Sequence, residues 1–250
     1  PYLPEGSLDI FKEPKGGREG RISLSYTFKN KRNHLRNLFA PNQGYGFKVQ
    51  SDITDKSIWG DFDYTKTELD FYTNQKLWPL SLYARGRFEL MSGTPPPQDS
   101  LGLVDIPNFY LAGSYTPGRE YMSPRGWSGA RSGDRAIMGT LELRFPAAPL
   151  NVVEILKIFK LGQPTFALIS DFGNAWKQGQ AKDDMVITTG AEFRFSFSLG
   201  NFSMLIFNYG WAQSPEAWNN DFNKLSENTN LEKIKAGPKP YFRLTLINPF

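Results

Sequence analysis

Apolar and polar residues alternate one by one along nine stretches of this chain. That is the period of a β-strand, whose successive side chains point to opposite faces. Gly20–Lys29 sets Ile22, Leu24, Tyr26 and Phe28 against Arg21, Ser23, Ser25 and Thr27. Gly44–Thr54 sets Tyr45, Phe47, Val49 and Ile53 against Gly46, Lys48, Gln50 and Asp52. Asp61–Asn74 is strand-like but shifts phase between Phe62/Tyr64 and Leu69/Phe71, which predicts a bulge. Ser81–Met91 sets Leu82, Ala84, Phe88 and Leu90 against Arg85, Arg87 and Glu89. Ala136–Phe145 places Ile137, Leu141, Leu143 and Phe145 opposite Glu142 and Arg144. Pro164–Trp176 places Phe166, Leu168 and Phe172 opposite Ile169, Asp171 and Gly173. Met185–Leu199 is the cleanest, with Ile187, Ala191, Phe193, Phe195, Phe197 and Leu199 against Glu192, Arg194, Ser196 and Ser198. Phe202–Gln213 places Leu205, Phe207, Tyr209 and Trp211 on one face. Tyr241–Phe250 closes the series, and its Phe242, Leu244 and Leu246 alternate with Arg243 and Thr245 up to a final Phe250.

These stretches run to about 9–14 residues, whereas ordinary globular strands are nearer 5–6 and a tilted strand crosses a bilayer in about 9–11. A soluble sandwich and a membrane barrel share the alternation. In the sandwich the apolar face is a dry core. In the barrel it meets lipid, and the charged face lines a wet lumen. Length, charged inner faces and a closing strand that ends on an aromatic residue favour an all-β, transmembrane antiparallel β-barrel. The connections alternate as such a barrel requires. Counted back from a periplasmic C-terminus, residues 214–239, 177–184, 94–135 and 55–60 lie outside, and residues 200–201, 146–163, 76–80 and 30–43 lie inside. Within the longest inner connection, Leu150–Leu161 reads as a short amphipathic helix, either in the inner interface or capping the barrel.

Composition sharpens this only in part. Twenty Phe, eleven Tyr and six Trp make 15% aromatic, as expected of interfacial girdles, although an aromatic-rich soluble sandwich would share that figure. No run of about 18 apolar residues occurs, which excludes a membrane helix but not a barrel. The absence of cysteine excludes a disulfide framework and a thiolate metal site. A net charge of +4 without a dense basic block argues against nucleic acid as a partner. No signal peptide opens the chain at Pro1. Single-chain bacterial barrels usually have an even strand count. With nine strands, and no further one in Pro1–Glu19, residues 1–250 are expected to form the C-terminal portion of a larger outer-membrane β-barrel domain, or to receive strands from elsewhere.

One stretch is distinctive. It runs Ser123-Pro-Arg-Gly-Trp-Ser-Gly-Ala-Arg-Ser-Gly-Asp-Arg-Ala-Ile-Met-Gly-Thr-Leu-Glu-Leu-Arg-Phe-Pro146. Arg125-Gly126-Trp127, then Gly139 with Glu142-Leu143-Arg144-Phe145-Pro146, then Ile169-Ser170-Asp171-Phe172-Gly173 follow one another in that order. Together they resemble the surface-antigen barrel of the BamA/TamA superfamily, over about Gly44–Phe250. The family's aromatic residue two before the Asp is Ile169 here. Tyr241, Phe242, Leu244, Leu246 and Phe250 resemble its C-terminal strand signal, with Ile247 at the usual Gly position and Pro249 unusual.

The resemblance implies a roughly 16-stranded barrel, of which this chain holds about nine strands. It implies that the 94–135 outer loop folds into the lumen, where Arg125 pairs with Asp171 near Glu142. Gly126, Trp127 and Gly173 belong to the same lock. Without the resemblance, Arg125 reads as a solvated loop residue and Asp171 as a turn-proximal cap. The resemblance further implies a weak seam between first and last strands, opening so that a client strand adds to an exposed edge. The partners implied are outer-membrane lipid of a Gram-negative-type bacterium, unfolded outer-membrane or secreted client proteins, and accessory assembly proteins. The alternative is an anchor or conduit barrel fused to a separate soluble functional domain.

Enzyme chemistry finds little support. His34 is the only histidine and sits in the basic connection Lys29–Arg36. No Ser-His-Asp set and no metal cluster is legible, so no catalytic, cofactor or metal site is assigned. Glu142 and Asp171 could mimic a catalytic carboxylate pair, but Arg144 and Arg125 beside them point to an ionic network.

Overall fold

The computed structural model describes residues 15–31, 43–58, 60–77, 79–104, 109–111, 124–125, 127, 130–146, 153–155, 159–161, 164–179, 185–199, 203–213 and 239–247. They are nearly all antiparallel β-sheet. The strands are β1 (Arg21–Lys31), β2 (Gly44–Thr54), β3 (Asp63–Leu77), β4 (Leu80–Thr94), β5 (Leu101–Val104), β6 (Phe109–Leu111) and β7 (Ala130–Gly133). They continue with β8 (Arg135–Pro146), β9 (Val153–Ile155), β10 (Phe159–Leu161), β11 (Thr165–Trp176), β12 (Val186–Leu199), β13 (Ser203–Gln213) and β14 (Lys239–Ile247). The principal sheet follows chain order, β1-β2-β3-β4-β8-β11-β12-β13-β14, and then β6 pairs in parallel with β14. The nine expected strands are therefore its nine long members, joined as an up-and-down meander. The short strands belong to two insertions, β5–β7 between β4 and β8, and β9–β10 between β8 and β11.

The polarity of the main sheet is the reverse of a soluble core. One face carries buried ions and amides: Asp52, Glu68, Asn74, Glu89, Glu142, Arg144, Asp171, Glu192 and Arg194. The opposite face carries exposed large apolar residues, among them Leu24, Tyr26, Phe71, Leu141, Leu168, Ile187 and Trp211. Cross-strand neighbours on that face bring their rings together at tilted angles, as with Tyr26–Phe47 and Phe145–Phe166 at 5.7 and 5.9 Å. In β11 the burial alternates strictly from Thr165 to Gly173, and Phe166, Leu168 and Phe172 point away from the ions.

Two expectations fail, each for a local reason. The bulge expected in Asp61–Asn74 is absent. The register of β3 is continuous against β2 from Tyr64–Thr54 to Asn74–Gly44, and against β4 over its whole length. Phe62 and Tyr64 are buried while Leu69 and Phe71 are exposed, so the strand keeps its phase and its inner face changes from apolar to ionic. The helix expected over Leu150–Leu161 is also corrected, because β9 and β10 pair with each other there. The run is rich in Val, Ile and Phe, which suit strands, and a short apolar run fits either period. A partner is at hand too. β12 extends past the last residue paired with β11, Arg194, and β10 takes up the backbone of Phe197–Leu199.

Candidate functional site

The long connection between β4 and β8 returns onto the ionic face. β5 and β7 pair as a small two-stranded sheet, and Leu101 and Leu103 of β5 are buried. With Trp127 they join Phe62, Tyr64, Met91, Ala136, Ala175 and Val186 in one apolar cluster at the end of the sheet where the connection emerges. Gly173 makes room for it, since a side chain there would meet Leu103 Cδ2 at 2.7 Å and the Ile137 carbonyl at 3.2 Å. Gly139 plays the equivalent part on the apolar face, where the Phe172 ring covers its Cα. Asp134, between β7 and β8, ties three segments together. Its amide donates to the Trp176 carbonyl at 3.1 Å, its carbonyl accepts from the Met91 amide at 2.7 Å, and its carboxylate accepts the Gln178 amide.

Beside this cluster sits an ionic one. Arg125 is 7% exposed, and its Nε and Nη2 donate to the two oxygens of Asp171, each at 2.7 Å. Its backbone amide donates to Asp171 Oδ2 at 2.9 Å, so one carboxylate holds the residue by three bonds. Nη1 reaches Glu142 Oε1 at 2.7 Å and Glu192 Oε2 at 3.4 Å. Arg194 then bonds Glu142 at 2.8 and 2.9 Å and pairs with Glu192 through Nε. Arg144 bonds Glu142 at 2.7 Å, and its guanidinium lies 4.1 Å from the centre of the Tyr83 ring.

The strand-borne members are three carboxylates, Glu142, Asp171 and Glu192, and two guanidiniums, Arg144 and Arg194, a net charge of −1 before the loop arrives. Arg125 brings the balancing charge. Burial by itself would lower its pKa. Asp171 first, then Glu142 and Glu192, more than reverse this and hold the guanidinium well above its ordinary value. A bidentate, fully ringed arginine of this kind fixes position and orientation together. Among the described residues no group of three His, Cys, Asp or Glu side chains is placed to hold a metal ion.

The sequence-derived residues thus divide. Arg125, Glu142 and Asp171 come together; Trp127 and Gly173 lie in the apolar cluster beside them; Gly126 is outside the described residues. Tyr241, Phe242, Leu244 and Leu246 lie in β14, paired with β13 from Ala212–Lys239 to Met204–Ile247, and Phe250 is outside the described residues. Arg144 was read from the sequence as a network partner beside Glu142, whereas Glu192 and Arg194 were legible only as charges on a polar face. The two leucines of β5 were missed. The phase shift at Phe62/Tyr64 was their signal, because two apolar residues on an otherwise ionic face need an apolar partner. No family model matches the sequence, and no curated protein matches it.

Proposed function

We propose that this chain is the C-terminal portion of a BamA-like outer-membrane barrel that assists the insertion or translocation of other proteins. The observation that carries the reading is the Arg125–Asp171–Glu142 cluster, in which a loop residue meets two strand carboxylates that share an inner face. The reversed polarity of the sheet supports a lipid-facing wall, since exposed Leu24, Phe71, Leu168 and Ile187 would be a liability in water. On this reading the loop plugs and braces the lumen, and client strands add at the β14 edge by displacing β6, which pairs there in parallel.

Reconstitution of the full-length protein into lipid vesicles tests this. Release from native membranes only by detergent is expected, together with faster folding of a small outer-membrane barrel client followed by its heat-modifiable gel mobility. Arg125→Ala is expected to slow that folding. Extraction by alkaline carbonate without detergent would overturn the membrane reading. Client folding at the same rate with and without the inserted protein would overturn the assembly reading and leave the barrel as an anchor.

A further inference from the structure

The two edges of the principal sheet are left in different conditions. β1 pairs with β2, and no described strand lies on its other side. β14 pairs with β13 along all nine of its residues, and β6 covers part of its remaining edge. Phe109, Tyr110 and Leu111 stand opposite Leu244, Thr245 and Leu246. Residues 239–243 have no described partner on that side.

β6 is a weak closing strand. It is three residues long, against nine for β14 and fifteen for β3. It runs parallel to β14, whereas the long members of the sheet pair antiparallel, and parallel pairing is slightly less stable per residue. It is nonetheless tethered from both sides. Leu101 and Leu103 of β5, before it, are buried, and Arg125, after it, is bonded to Asp171. A segment held in this way meets its partner at a high effective concentration, so even a weak pairing keeps the edge covered. Phe109-Tyr110-Leu111 also has residue types that suit a strand, inside a connection otherwise rich in Gly, Pro and Ser.

We propose that β6 is a built-in competitor at the β14 edge: it covers the edge while no partner is present and yields it to an incoming strand. The inference rests on the assembly reading and adds the regulation of its docking edge. A bare strand edge pairs with any chain that offers a strand, so an edge that accepts strands needs a cover that can leave. Residues 239–243 give an incoming strand its first foothold. Antiparallel pairing that extends from there over residues 244–246 replaces three parallel positions with a longer ladder, which favours displacement of β6. The tethers keep β6 close, and it returns once the new strand departs.

The full-length protein in lipid vesicles, scored by the folding rate of a small outer-membrane barrel client, tests this. Tyr110→Cys/Thr245→Cys places two thiols at directly opposed positions in a chain that has no cysteine of its own. Oxidation of this variant is expected to abolish the client acceleration, and reduction to restore it. Phe109→Gly/Tyr110→Pro/Leu111→Gly removes β6 as a strand and leaves β5 and Arg125 in place. It is expected to fold the client about tenfold faster than wild type, the worth of one or two backbone hydrogen bonds, and to lose hydrogen-exchange protection at residues 244–246. Thiols that do not cross-link, or a cross-linked protein that still accelerates the client, would overturn the proposal and leave the assembly reading intact. So would a triple variant that loses protection at residues 244–246 without speeding the client. Wild-type protein that gives no acceleration at all would sink the assembly reading, and this proposal with it.

Discussion

The two halves of the ionic face use the same residue types and are completed in different ways. On β2, β3 and β4, Lys48 meets Glu68 at 3.3 Å, and Arg87 bridges Glu68 at 3.0 Å and Glu89 at 2.6 Å. Arg85 grips Asp70 with Nε, at 2.9 Å, and with Nη2. Each of these partners is on the same strand or the next, so pairing the strands brings these charges together. Lys48 and Arg85 keep 33% and 45% of their side chains exposed, so water can replace a lost partner. On β8, β11 and β12 the clustered ionic side chains Glu142, Arg144, Asp171, Glu192 and Arg194 are at most 9% exposed, and their charge is balanced when Arg125 joins them from the loop. The first half is a finished ladder. The second is a receptor built into the sheet, and it lacks one positive charge until the loop supplies it.

The largest break in that contrast is expected from Arg125→Ala. It leaves three buried carboxylates facing two guanidiniums, and breaking a buried pair costs about 3–5 kcal/mol. Asp171→Ala should cost a comparable amount, and the double variant less than the two together, because neither charge is then stranded. Protease sensitivity of the 94–135 loop measures all three, and strict additivity would sink the pairing. Gly173→Ala should come next. Its methyl group would press on Leu103, and overpacking of this kind costs about 1–3 kcal/mol. Thermal unfolding together with loop proteolysis would register it, and an unchanged loop would contradict the close approach of β5. The smallest effect is expected from Lys48→Gln, on the ladder. Lys48 is one-third exposed and buried Glu68 keeps Arg87 as a partner, so the cost should stay within about 1 kcal/mol, and loop proteolysis should not change at all.

The alternation of faces was legible in the sequence because a strand has period two and this sheet is polar on one side and apolar on the other. The nine long strands were located by it, whereas their register and order are read from the fold. The Arg125–Asp171 contact was not legible from periodicity, since 46 residues separate the two partners. It was reached through motif resemblance, and the charge count now adds an independent physical reason for it. The helix assigned to Leu150–Leu161 shows the limit of pattern reading, since the decisive fact was an unpaired stretch of β12 that only the fold reveals. The supposed bulge near Phe62 shows another limit. A phase shift in hydrophobicity reports what a face touches as readily as how the backbone bends.

The parallel pairing of β6 with β14 has a consequence for the order of events in folding. It joins Phe109–Leu111 to Leu244–Leu246, so it closes a longer length of chain than any pairing between consecutive strands of the meander. Closure entropy grows with that length, and contacts of this range slow folding. The segment that pairs is part of the same insertion that carries Leu101, Leu103 and Arg125. Strand β14 can therefore complete this pairing only once β6 has been brought to its edge. That long-range contact is expected to form late, and it joins the insertion to β14.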